Sequence, residues 1–333
     1  MLLLSRRKVQ ALIAGIVFAP ALSAAQGGWP SKPVRIVVPF APGGFTGLLA
    51  RALAPELQLA LGQPIVVDHV PGAGGIVGSA QVARARGDGY TLLMATVATH
   101  AIDATLHANL PYDPLKDFVP VTVVAEAPHL VVMNAAKAQQ RGIRSVLDLI
   151  RYARAHPGEL NIASAGNGTS SHLAGELFKQ MTGTFMVHIP YRGSAPALLD
   201  LLAGNMDLMF DTLPSSLPYI KSGMLTALAV ASASRCDVVP ELPTMEEAGG
   251  TALKGYRVSA WWGIVAPAGT PADVVLRLQQ EVAKALASPA LRNLLLSEGA
   301  IPGGMASAEF AGYIAAEIRR WSRVVKRSGA KVE

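Results

Sequence analysis

Ser164-Ala165-Gly166-Asn167-Gly168-Thr169-Ser170-Ser171-His172 has the residue types of a turn that holds an anion. Two glycines let the backbone come close to a ligand. Three hydroxyls follow where a helix should start. The first N–H groups of that helix lack internal partners, and its dipole adds partial positive charge there. A carboxylate or phosphate suits such a place. No base, nucleophile pair or metal cluster neighbours the turn in sequence.

Two further glycine turns follow apolar runs and precede helical ones: Gly43-Gly44, and Gly72 to Gly78. The second misses the dinucleotide fingerprint, because Val77 stands where G-x-G-x-x-G needs its last glycine. No Gly-Lys-Ser/Thr follows any of the turns, so a P-loop is absent. The seven His are scattered, which excludes a zinc motif. No G-x-S-x-G elbow occurs. Ser170 or Ser171 with His172 and Asp211 could be drawn as a triad, but neighbours on a helix point in different directions. His172 reads better as a residue that orients the turn. The expectation is no catalytic residue, no metal and no cofactor. Hydrogen bonding remains: four or five charge-assisted bonds at about 1.5–3 kcal/mol each reach the roughly 8 kcal/mol of a micromolar ligand, without an Arg clamp.

The elements that position these turns form an alternating pattern. Arg35–Pro39 reads as a buried strand, with a helix running to Leu61. Ile65–Val70 is a second strand, followed by a helix over Ile76–Arg86, and Tyr90–Thr96 is a third. Val119–Val124 and Leu130–Asn134, split by Glu126-Ala127-Pro128, read as a strand crossing into a second domain. There, helix Ser145–His156, strand Leu160–Ala165, helix Ser171–Thr182, strand Phe185–Ile189, helix Ala195–Ala203, strand Asp207–Phe210 and strand Leu225–Ala231 follow. Tyr256–Ala266 crosses back. Pro271 opens a helix to Ala287. Near Ser307 to Lys326 a last helix has Phe310, Ile314, Ile318, Trp321 and Val325 on one face. This alternation predicts an α/β fold with mostly parallel sheets, two lobes and a cleft between them.

The N-terminus sets the compartment. Ser5-Arg6-Arg7-Lys8 precedes an apolar run, Val9 to Phe18, that is too short for the roughly 20 residues of a membrane span. Small residues follow, up to Ala25. The pattern predicts a secretory signal peptide over residues 1–25 and a periplasmic protein. Its removal takes three basic residues from a formal charge of +6. The modest remainder has no Lys/Arg cluster, which argues against nucleic acid. Cys236 is the single cysteine, so no internal disulfide forms.

The chain from Trp29-Pro30 onward resembles the periplasmic solute-binding proteins of tripartite tricarboxylate transporters, the Bug receptors. The matching segments include Pro33–Gly44 (PVRIVVPFAPGG), Pro71–Gly75 (PGAGG), Asp88–Leu92 (DGYTL) and Leu110–Phe118 (LPYDPLKDF). Ser164–Phe178 (SAGNGTSSHLAGELF) is the most specific. Val187–Leu202, Asp207–Pro214, Ser259–Gly263 (SAWWG) and Ala266–Thr270 (APAGT) also match.

The resemblance implies a two-lobed Venus-flytrap fold, type II-like. Residues 26–124 and 256–333 would form one lobe, residues 125–255 the other. It implies a small carboxylate (dicarboxylate, tricarboxylate or aromatic acid) captured between the lobes by a monomer and delivered to membrane transporter subunits. A ligand-presenting receptor for a membrane sensor kinase is the alternative, and a secreted hydrolase a third reading. Carried over by position, the ligand-binding residues are Phe40, Gly43, Gly44, Phe45 and Thr46 in one turn. Ala165, Gly166, Asn167, Gly168, Thr169 and Ser170 form the other. Thr96, Thr99 and Asp211 lie at cleft positions. Gly47 stands where the family commonly has Asp. Its missing carboxylate disfavours an amino-acid ligand and leaves Phe45 to supply apolar contact.

Overall fold

The computed structural model describes residues 28–330. The expected signal peptide, residues 1–25, lies outside them.

The elements run β1 (Val34–Val38), α1 (Phe45–Leu61), β2 (Ile65–His69), α2 (Ile76–Ala83), β3 (Thr91–Thr96), a π-turn (Ala98–Ile102) and α3 (Asp103–Leu106). Then come β4 (Phe118–Asn134), α4 (Ala135–Gln140), α5 (Val146–Ala155), β5 (Asn161–Ser164), α6 (Ser170–Thr182), β6 (Val187–Pro190), α7 (Ser194–Leu202), β7 (Leu208–Thr212), α8 (Leu213–Lys221) and β8 (Leu225–Val230). The chain ends with α9 (Met245–Gly249), β9 (Ser259–Pro267), α10 (Ala272–Ala287), α11 (Pro289–Ser297), β10 (Ile301–Pro302) and α12 (Ser307–Ser328).

The sheet order is β2-β1-β3-β9-β4-β7-β5-β6. β1 pairs in parallel with β2 and β3, and β5 with β6 and β7. These are the βα units that the alternation predicts. The two parallel groups are joined through β4. Its first half pairs antiparallel with β9 and its second half with β7 and β8. The two apolar runs read separately in the sequence are therefore one 17-residue strand. Pro128 stays within it opposite Ser259. The protein is thus two-lobed, with β4 as one crossing and the segment between β8 and β9 as the return.

At the crossing the two segments hold each other. His129 N–H donates to Val258 C=O at 3.0 Å, and Ala231 N–H donates to His129 C=O at 2.7 Å. α12 packs on β4 and on α6, so the last helix braces both groups of strands. Its predicted face is real. Phe310, Ile314, Trp321 and Val325 are buried, and Ile318 is half-buried beside them. Burial of each such side chain contributes about 1.5–3 kcal/mol. The short helices α4 and α11 and the two-residue β10 were not anticipated.

Candidate functional site

Four helix N-termini point into one cavity between the strand groups. β1 leads through Phe40 to α1, whose N-cap is Gly44. β5 leads through the glycine turn to α6, capped by Thr169. β6 leads to α7 behind Gly193, and β7 runs straight into α8 behind Thr212. Three of these caps, at α1, α7 and α8, accept no backbone N–H of their own helix through a side chain, Thr212 Oγ1 lying instead 2.9 Å from Ser215 Oγ. Pro196 and Pro214 carry no N–H, but the N–H groups of Phe45, Thr46, Ser194, Ala195, Leu213 and Ser215 in these first turns have no side-chain cap, and the helix dipoles lie behind them. Gly44, Phe45 and Thr46, then Thr169, Ser170 and Ser171, then Ser194, Thr212 and Ser215 line the cavity from these helix starts. Phe40, Ala41, Thr96, Val97, Ala98, His129, Ala165, Asp211, Ala260 and Trp262 complete it.

The cavity measures about 60 Å³, room for roughly four waters at 10–15 Å³ each by the same measure. No Lys or Arg lines it. The positive field it offers to an anion is that of helix ends and hydroxyls, beside the acidic Asp211.

The glycine turn before α6 is fixed by its own side chains. Thr169 Oγ1 donates to Gly166 C=O at 2.7 Å and accepts the His172 N–H at 3.4 Å. His172 Nδ1 accepts the Gly168 N–H at 3.3 Å, so His172 does orient the turn. Its ring stacks on His188 with centroids 4.1 Å apart. Burial, with His188 and Lys179 adding to it, lowers the His172 pKa to about 3, leaving a neutral acceptor. His188 Nε2 lies 2.6 Å from Ser164 Oγ, which accepts the Gly166 N–H at 3.2 Å.

Asp211 is fully buried and accepts the hydroxyls of Ser194 and Ser216, each at 2.9 Å. Burial pushes its pKa up to about 6 against the pull of these bonds. His172 Nδ1 accepts the Gly168 N–H, Asp211 is bonded to Ser194 and Ser216, and Ser171 Oγ has no partner, so the triad is not assembled.

On the opposite wall, Trp262 Nε1 donates to Thr46 Oγ1 at 2.9 Å. Its ring meets Phe45 edge-on at 4.9 Å. An indole N–H only donates, so the hydrogen of the Thr46 hydroxyl stays free.

Of the residues named from sequence, Phe40, Gly44, Phe45, Thr46, Thr96, Ala165, Thr169, Ser170 and Asp211 come together around the cavity. Gly43, Thr99, Gly166, Asn167 and Gly168 do not line it. Gly43 faces Ala195. Thr99 is buried behind, where its Oγ1 accepts the Thr96 N–H at 3.1 Å and braces that loop. Gly47 does not open on the cavity either. A β-carbon there would lie 2.8 Å from His69 Cε1 and 3.2 Å from Arg51 Nη1. The missing carboxylate therefore faces the helix flank and not a ligand, and the argument against amino acids from Gly47 loses its footing. Sequence reasoning missed Ser194, Thr212, Ser215, His129 and Trp262. Gly193-Ser194 and Thr212-Leu213-Pro214 were readable as helix starts. Nothing in the sequence says that they converge on the other two.

The model of the tripartite tricarboxylate transporter family receptor matches residues 49–330. The chain belongs to this family. The tripartite tricarboxylate transporter receptors are substrate-binding proteins, not enzymes, and their solved members are periplasmic binding proteins. Protein BugT of Bordetella pertussis is 38% identical over 306 residues, 92% of each chain. An R. palustris protein solved with adipate is 39% identical with a TM-score of 0.86, over 91% of this chain and all of that one. MatC of Rhodopseudomonas palustris, solved with bound malate, is 35% identical with a TM-score of 0.84, over 89% and 99%. Among the described residues no helix of this receptor is long and apolar enough to cross a membrane.

Proposed function

We propose that this receptor captures a small dicarboxylate in the periplasm and delivers it to the membrane subunits of a tripartite transporter. The signal peptide, residues 1–25, would export it as a monomer. The lobes are residues 26–124 with 256–333, and residues 125–255. One observation carries the reading: three helix N-termini without side-chain caps, together with that of α6, border one cavity that has no basic side chain. A carboxylate completes those N–H groups, and the Thr46 and Ser170 hydroxyls add to them. The cavity volume favours an acid of few carbons over a tricarboxylate or aromatic acid. Adipate and malate in the related receptors agree with this class.

Binding would hold the lobes together, because the ligand touches both. A calorimetric screen at pH 7 of succinate, malate, adipate, citrate, benzoate, aspartate and glutamate tests the reading. Micromolar binding of one or more of the small dicarboxylic acids supports it. Binding confined to citrate or benzoate, or binding of none of these acids, refutes it.

A further inference from the structure

His129 has a role that the anion-binding helix ends do not explain. It sits in β4 where pairing passes from β9 to β7 and the two crossings meet, and its backbone is fully paired to Val258 and Ala231. Its side chain is 1% exposed, and neither Nδ1 nor Nε2 has a hydrogen-bond partner within the protein. It lines the same cavity. Ser171 Oγ, also buried and unpartnered, lines it too. Buried polar atoms in folded proteins are paired almost without exception. These orphaned atoms therefore mark the polar end of the cavity that a ligand has to match.

The chemistry of that match is restricted. Burial holds the His129 pKa down to about 3, so the imidazole is neutral at pH 7. A neutral ring offers one donor and one acceptor. A carboxylate only accepts, so it can pair with the ring N–H but is repelled by the bare ring nitrogen. A hydroxyl both donates and accepts, and so matches the ring nitrogen that faces it in either tautomer. We propose that His129 is a specificity-determining residue that pairs with a hydroxyl on the bound acid, so that the receptor prefers hydroxy acids over the same acids without the hydroxyl. The proposal rests on the carboxylate reading above and names the second feature of its ligand.

Succinate and malate differ by one hydroxyl and test this directly. Calorimetry at pH 7 would compare succinate, L-malate and D-malate on the mature protein and on His129→Phe and His129→Gln. The wild type should bind one malate enantiomer at least about tenfold tighter than succinate, the effect of one well-made hydrogen bond. In His129→Phe the ratio should fall below about threefold, and His129→Gln, which keeps a donor and an acceptor, should restore part of it. A lost packing contact would weaken both acids alike and leave the ratio. Equal binding of both acids by the wild type overturns the proposal, as does a preference that survives in His129→Phe. Should His129→Phe fail to fold, the wild-type ratio and His129→Gln still decide it. If no acid binds, the carboxylate reading falls as well; if both bind equally, only the role of His129 falls.

Discussion

Gly74 and Asn167 meet across the mouth of the cleft. A β-carbon on Gly74 would lie 2.2 Å from the Asn167 carbonyl oxygen. Beside them Ala41 N–H donates to Arg192 C=O at 3.0 Å, a second backbone contact between the two strand groups. The turn that nearly resembled a dinucleotide loop is therefore a surface on which the glycine turn before α6 rests. Gly74 also has φ +65°, which an L-residue adopts at a cost of about 1–2 kcal/mol. Gly74→Ala should keep the fold and hinder approach of the lobes. Its affinity for the ligand should fall by about tenfold or more, and small-angle scattering should show a larger radius with ligand than wild type does. Unchanged affinity and radius would show that this contact does not govern closure.

The Thr46 hydroxyl joins the cavity to Trp262. Thr46→Val should leave the indole N–H without a partner and remove a donor to the ligand. Affinity should fall by about 1–3 kcal/mol. Trp262 fluorescence should change when ligand is added to wild type, and that change should diminish in the variant. A variant that binds as wild type does would remove Thr46 from the site.

Asp211 makes stability depend on pH. Its pKa is pushed up to about 6 by burial, so the folded form holds the proton more tightly than the unfolded form, whose value is near 4. Stability from this group is then greatest below about pH 4 and declines as pH rises toward 6, by about 2–3 kcal/mol in all. Urea midpoints at pH 4, 5, 6 and 7 would record the decline, and Asp211→Asn should flatten it. An identical pH profile in the variant contradicts this account.

Asp207 acts in the opposite direction. Burial opposes its ionisation, but the Asn161 N–H, Lys137 and Arg141 outweigh it and hold its pKa below the usual range. Lys137 Nζ lies 2.8 Å from Oδ1, Arg141 pairs with the same oxygen, and the Asn161 N–H donates to Oδ2 at 2.8 Å. These bonds tie the starts of β5 and β7, the strands that carry the glycine turn and Asp211. Asp207→Ala should lose about 3 kcal/mol at pH 7, measured by urea unfolding, because two cations are left without their partner. The difference from wild type should shrink as pH falls below about 4 and the carboxylate is protonated. A neutral substitution at pH 7 would contradict this role.

Local signals in the chain revealed the βα units, because apolar runs of strand length alternate with helical spacing and glycine turns. They also revealed the crossing at β4, though Glu126-Ala127-Pro128 made one strand look like two. The glycine turns at Gly43-Gly44 and Gly166 to Gly168 were legible for the same reason, while the family resemblance supplied the bounds Phe40–Thr46 and Ala165–Ser170. Which further helix starts meet them was not, since Ser194 and Ser215 are brought together with Thr46 only by sheet order. The side to which Gly47 points was hidden as well. Helical position alone does not reveal that His69 from the next strand fills that flank. His129 stands just before the second apolar run and was given no role from the sequence, and its two unpaired ring nitrogens distinguish it.

The central claim is that helix N-termini, and no basic side chain, hold a ligand carboxylate in this cavity. A crystal structure of the mature protein grown with malate tests it most directly. The account predicts carboxylate oxygens about 2.7–3.2 Å from N–H groups at the starts of α1, α6, α7 or α8, with contributions from both lobes. A carboxylate bound outside this cavity, or held there by an Arg or Lys side chain, would contradict it.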